Sequence, residues 1–188
     1  MRLTRYKMYR RIQECFKEPI KGDILGISAV DGLYPIIDLK NSNLLVTSYP
    51  EVDFQNLCFK DGSFDAVISD QVLEHLTDPP KAINESYRVL RPGGIAIHTT
   101  CFMNYYHPSP IDYWRMSPEA LGSLCRNAGF REIIQCEGWG NRAALILCLM
   151  SDRFRAMEIP SNGKGLRAKI ASMNEERYPI VTWVIARK

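Results

Sequence analysis

The chain has few of the residues that mark metal or disulfide proteins. Among 188 residues there are three histidines and six cysteines. Cys15, Cys58, Cys101, Cys125, Cys136 and Cys148 make no CxxC pair and have no paired histidines beside them. They predict reduced thiols in a cytoplasmic protein and no metal site or disulfide frame. No apolar run approaches the roughly 18–20 residues needed to span a bilayer. The N-terminal MRLTRYKMYRRIQECF is basic but has no apolar core of the kind a secretory signal carries. A formal net charge of +3 is too small to argue for nucleic acid as a partner. There is no internal repeat and no low-complexity tract.

What is present is an ordinary globular composition, 46% apolar, in a length that suits one domain. Residues 1–20 read as an amphipathic basic helix, with Tyr6, Tyr9, Ile12, Cys15 and Phe16 at helical spacing. Arg2, Arg5, Lys7, Arg10, Arg11 and Lys17 surround them. Such a helix can be a solvated face, or a flap that attracts an anionic substrate. Residues 21–188 form the remaining domain.

The chain is organised around Phe64–Thr100. Phe64–Ser69 is a short apolar run that fits a strand buried on both faces. Asp78-Pro79-Pro80 opens a helix, the Asp as cap and the prolines where no N–H is needed. Ala82, Ile83, Ser86, Tyr87, Val89 and Leu90 form its packing face. Arg91-Pro92-Gly93-Gly94 predicts its stop, and Ile95–Thr99 a second strand. Strand, helix and strand in this order predict a parallel crossover.

The pieces F-D-x-V-x-S-x-x-V-L-E-H (Phe64 to His75) and R-V-L-R-P-G-G (Arg88–Gly94), in this order and spacing, resemble the centre of a class I S-adenosylmethionine-dependent methyltransferase. The resemblance runs from about Lys21 to the C-terminus. It implies a Rossmann-like α/β fold: a seven-stranded mixed sheet of order 3-2-1-4-5-7-6 with helices on both faces. It also implies S-adenosyl-L-methionine as cofactor, with S-adenosyl-L-homocysteine as product. The alternating pattern itself supports only the α/β class.

Carried onto this sequence, the resemblance puts cofactor contacts at Gly26, Ile27, Ser28, Ala29 and Gly32, after the predicted strand Asp23–Ser28. Further contacts fall at Ser48 and Tyr49, at Asp53 and Phe54 for the adenine, and at Asp70 and Gln71. The glycine loop departs from the family pattern. Gly26 stands where an acid is expected, Ser28 and Val30 stand where glycines are expected, and no carboxylate ends the strand Leu44–Thr47. Leu33–Leu39 reads as an unusually short helix. Tyr49–Leu57 is similar to a subgroup associated with surface-polysaccharide gene sets.

The loop Thr99–Arg115 carries aromatics together with His107, Asp112 and Arg115. His107 is a candidate base for an oxygen acceptor, and Arg115 for pairing with an anionic one. Alternatively, Asp112–Arg115 clamps the next helix. Glu74-His75 reads as structural. Ser117-Pro118-Glu119 caps a helix to Ala128, Phe130–Cys136 is a strand, and Ser161–Gly165 is a loop. Leu166–Met173 is a short helix, and Pro179–Ala186 is a last strand, which the resemblance implies is inserted antiparallel. The apolar 143–150 segment reads as a core helix, a homodimer face or a surface for a lipid-linked substrate.

The sequence thus points to methyl transfer to a small-molecule or sugar-like acceptor, with no metal. One alternative is a catalytically inactive scaffold of the same fold, favoured by the altered glycine loop. Another is an RNA-directed enzyme, which the small net charge disfavours.

Overall fold

The computed structural model describes every residue except Ser109, Ser161 and Asn162, and every side chain apart from those and Lys40 and Arg155. Helix α1 (Leu3–Glu14) is followed by β1 (Ile20–Ile27), a 3-10 turn over Asp31–Ile36 and β2 (Ile37–Thr47). Then come β3 (Phe64–Asp70), a 3-10 turn at Leu73–His75, α2 (Pro79–Val89) and β4 (Leu90–Cys101). The chain ends with α3 (Pro118–Ala128), β5 (Glu132–Trp139), α4 (Arg142–Met150), α5 (Asp152–Arg155), α6 (Leu166–Ser172) and β6 (Val181–Arg187).

The sheet order is β2-β1-β3-β4-β6-β5. Strands β1 to β4 pair in parallel, and β6 runs antiparallel between β4 and β5. This is the expected Rossmann-like order without its third strand. Among the described residues the sheet has six strands, not seven. The segment that would supply the edge strand, 48–63, runs as turns and bends. Its Pro50, Asp53, Asn56 and Asp61-Gly62 favour turns and break any two-residue alternation.

Side chains alternate across the pleat and build one core on each face. Ile24, Ala66, Ile68, Ile97, Trp183 and Ile185 meet α1, the first 3-10 turn and α4. Leu25, Val67, Ala96, Val184 and Ala186 meet α2 and α3. Helix α1 presses Met8, Tyr9 and Ile12 into the first core. It is also tied to β5 by Arg11, whose Nε and Nη2 lie 3.0 and 2.6 Å from the Glu137 carboxylate.

Two expectations shift locally. Leu33–Leu39 is not a helix: a 3-10 turn ends at Ile36, because Pro35 lacks an N–H, and β2 begins at Ile37. Arg91–Gly94 does not separate α2 from β4 but lies within β4 as an irregularity. Phe64 pairs with Leu90 and Ala66 with Ile95, and Gly93 takes a φ of 81° in the excess segment. The Asp78 cap is as expected, its side chain 3.1 Å from the Lys81 amide. So is Ser117 capping α3, which stops at Gly129 with φ 102°. Helix α4 buries only Ala144 and Cys148 and leaves Ile146, Leu149 and Met150 exposed, so it is less a core helix than its composition implies.

Candidate active site

Ligands bind open α/β sheets at the carboxyl edge, where neighbouring strands lead to opposite sides. Here that point lies between β1 and β3. Ser28, just past β1, holds a φ of 63°, the left-handed turn a glycine normally supplies. The turn survives without the glycine, and the Ser28 amide donates to the Thr47 carbonyl at 2.6 Å.

Asp70 ends β3 and is almost fully buried. One carboxylate oxygen accepts from Tyr9 Oη at 2.5 Å and Arg5 Nη1 at 3.0 Å; the other accepts from Thr99 Oγ1 at 2.5 Å. Burial, together with the Asp70 charge, pushes the Tyr9 phenol above its ordinary range. Tyr9 also fills the hollow over Gly32, where an added Cβ would fall 2.2 Å from its hydroxyl. The N-terminal helix therefore both packs into the core and covers this end of the site, an arrangement for which the sequence offered only the alternatives of flap or solvated face.

Ser48 and Tyr49 are exposed beyond β2, and Glu51 Oε2 stands 3.5 Å from Ser48 Oγ. Asp53 is fixed by the Gln55 amide at 2.8 Å, and Phe54 is buried beneath it. Gly26 lies within β1 and Ile27 ends it, with Ile27 in the core and Ala29 exposed at the turn.

A cavity of about 390 Å³ opens beside Gln71, the residue after Asp70. Arg5, Gln71, His75, Cys101, Asn104 and His107 are among the residues that line it. Gln71, expected among the cofactor contacts, and His107, expected among the acceptor contacts, thus face one space.

His107 is held from one side. Its Nδ1 lies 3.1 Å from the Tyr105 carbonyl and 3.1 Å from Asp112 Oδ2. The donors Asn104 Nδ2 and Arg115 Nη2 are farther away, at 3.4 and 3.5 Å. The nearer pair places the proton on Nδ1 and leaves the lone pair at Nε2. Burial lowers the His107 pKa. Asp112 is held well below the usual carboxylate range by Arg115, which bonds it with both terminal nitrogens at 2.5 Å. Arg115 also donates to the carbonyls of Asn104, Tyr105 and Trp114. Its guanidinium is therefore occupied in shaping its own loop, Asn104 to Arg115.

Glu74 and Cys101 were not singled out as site residues from sequence. Glu74 is fully buried; Thr100 Oγ1 donates to its Oε2 at 2.8 Å, and its Oε1 has no hydrogen-bond partner. Its carbonyl accepts the Tyr113 and Trp114 amides, so Glu-His does organise the loop as expected. Burial raises the pKa of Glu74, and burial with the Glu74 charge pushes the Cys101 thiol up to about 12.

These features agree with what comparison shows. Residues 14–98 match the family model described as a methyltransferase domain. A probable S-adenosylmethionine-dependent methyltransferase of Mycolicibacterium smegmatis is 30% identical over 110 residues, 55% of this chain and 39% of that protein. Cycloartenol-C-24-methyltransferase 1 of Oryza sativa is 33% identical over 72 residues, 38% of this chain and 21% of that protein. The chain thus spans well under half the length of these curated relatives. Phosphoethanolamine N-methyltransferase 2 of Haemonchus contortus, solved with S-adenosyl-L-methionine, superposes with a TM-score of 0.62 at 17% identity, covering 97% of this chain and 52% of that one. The [4+2]-cyclase SpnF superposes with a TM-score of 0.60 at 19% identity, covering 97% and 80%. The fold is that of class I methyltransferases, and over residues 14–98 the chain is similar to the S-adenosylmethionine-dependent methyltransferase family.

The residues present fit that family's cofactor. Arg5 and Asp70 offer opposite charges for an amino-acid carboxylate and ammonium, at present satisfied by each other. The Ser48–Glu51 pair brings a hydroxyl and a carboxylate to the end of β2, where the expected acid is missing.

Proposed function

We propose that this protein transfers a methyl group from S-adenosyl-L-methionine to a small-molecule or glycan-like acceptor. The observation that carries the reading is the single cavity shared by Gln71 and His107. The fold alone would not suffice, since the same architecture serves the cyclase SpnF. The cofactor's adenosine is held by Asp53, Phe54, Ser48 and Glu51, and its amino-acid end by Asp70, Arg5 and the Gly26–Gly32 turn. When bound, the cofactor supplies an electrophilic methyl group on a sulfonium.

The chain's own work is to orient the acceptor and take its proton. His107 Nε2 accepts the proton of an acceptor hydroxyl or thiol, while Asp112 and the Tyr105 carbonyl keep the ring in register. Tyr105 lines the cavity and Tyr106, Tyr113 and Trp114 lie exposed on the same loop, offering flat faces on which a sugar ring can pack.

Calorimetric titration with S-adenosyl-L-methionine and S-adenosyl-L-homocysteine tests this. Micromolar binding is expected, weakened by about tenfold in Asp53→Ala, the loss of one charged hydrogen bond. Labelled-methyl transfer to a panel of sugars and small amines and alcohols follows. Absence of binding at millimolar ligand would overturn the reading and leave the inactive scaffold.

A further inference from the structure

Glu74, Cys101 and His107 lie 27 and 6 residues apart in sequence, yet each brings one ligand atom to within 4.8 Å of the others. They come from three elements: the 3-10 turn after β3, the last residue of β4 and the loop beyond it. Glu74 Oε1 is buried without a partner, although Thr100 turns the other oxygen of the same carboxylate away. Facing Oε1 at 3.9 Å is His107 Nε2, too distant for a hydrogen bond. With Nδ1 held by Asp112 and the Tyr105 carbonyl, Nε2 presents its lone pair toward that carboxylate oxygen. Two electron-rich atoms thus point at one another across a gap, with the Cys101 sulfur beside them. An unpartnered buried carboxylate oxygen facing a lone pair is costly unless a proton or a metal cation lies between them.

We propose that Glu74, Cys101 and His107 form a three-ligand site for a divalent metal of zinc type, with its fourth position open to the 390 Å³ cavity. The donor set favours this class: thiolate and imidazole suit zinc and cobalt, whereas magnesium and calcium prefer oxygen ligands alone. Three protein ligands with one open position is the arrangement of zinc sites that bind a reacting molecule. The contact between His107 Nδ1 and Asp112 is the carboxylate–histidine support that such ligands usually have. The open position faces Gln71, His75 and Asn104, so it would take water or the oxygen or sulfur of an acceptor. In the metal-loaded protein His107 Nε2 is a ligand and no longer the proton acceptor assigned above. The site stands on its own geometry, and its test does not require methyl transfer.

The test is titration of the reduced chain with Co²⁺, followed by displacement with Zn²⁺. About one equivalent should bind, with a thiolate-to-cobalt charge-transfer band and the visible spectrum of a tetrahedral site. Cys101→Ala should abolish the band. His107→Ala, a change on a half-buried loop residue, should keep a native circular dichroism spectrum and weaken binding more than tenfold. Asp112→Asn should weaken it by about tenfold through loss of the supporting carboxylate. Cys58→Ser, at an exposed cysteine outside the cluster, should bind as the unaltered chain does. No charge-transfer band in the unaltered chain would overturn the proposal. So would a band that persists in Cys101→Ala, which would place the metal on another cysteine, or affinity unchanged in His107→Ala.

Discussion

His98 sits in β4, fully buried, directly opposite Ser69 of β3 in the sheet register. Its Nδ1 is 2.8 Å from Ser69 Oγ, its Nε2 has no partner, and its ring leans against Phe54. Burial lowers its pKa to about 3, so the fold holds it neutral. The unfolded chain takes up a proton below about pH 6.5, whereas the folded chain resists until about pH 3. His98 therefore favours the fold fully above about pH 6.5, and that stability is lost as pH falls toward 3. A His98→Phe variant should show a flatter decline of urea-unfolding free energy between pH 6.5 and 4. At pH 7 it should be less stable by about 1 kcal/mol, because Ser69 is left without a partner. An unchanged acid slope would show that His98 is not the group responsible.

Arg88 is the clearest case at the scale of elements. It lies in the last turn of α2, and its guanidinium donates to the carbonyls of Leu57 and Phe59 and to the carboxylates of Asp61 and Glu85. Glu85 in turn accepts the Leu57 amide at 2.7 Å. The segment joining β2 to β3 has no regular structure of its own, so this pair supplies the partners its backbone needs. The segment also carries Asp53 and Phe54, so α2 holds the proposed adenine contacts in place from behind. Arg88→Ala should lower unfolding free energy by about 2 kcal/mol, for the loss of charged hydrogen bonds to two partly buried carbonyls. It should also speed hydrogen exchange at the Leu57 amide. Protection unchanged there would mean the segment is held by its own packing. Arg91 does related work in β4, bonding Asp65 at 2.5 Å and Asp23 at 2.7 Å and so joining β4 to β3 and β1.

At the scale of the molecule, two cores share one sheet, and α1 belongs to one of them. Ile12 is fully buried there among residues of the sheet. Trp139 and Trp183 are fully buried in the same core, while Trp114 is exposed on the far loop. Indole fluorescence therefore reports mainly on the α1 face, and far-ultraviolet circular dichroism on the whole chain. Ile12→Ala should cost about 3 kcal/mol and shift both midpoints together, as a single cooperative unit requires. A fluorescence midpoint that falls while the dichroism midpoint stays would show that α1 and its core open separately.

By itself the sequence determined the α/β class, the caps at Asp78 and Ser117 and the stop at Gly129. Those rest on local chemistry that nearby residues settle: a side-chain oxygen for a free amide, a proline where no N–H is needed, a glycine at positive φ. It also determined the stretch Phe64–Gly94, whose spacing carried the resemblance to methyltransferases. Only the tertiary structure decided that the sheet stops at six strands among the described residues: the turn-forming residues of 48–63 weaken an edge strand there, but whether one pairs is settled by its neighbour. Only the structure brought Arg5 and Tyr9 onto Asp70, more than sixty residues away. Glu74, Cys101 and His107 had no legible spacing for the same reason. A motif can be read along the chain when one element holds all its residues, but this cluster is assembled where separate elements converge on the carboxyl edge of the sheet.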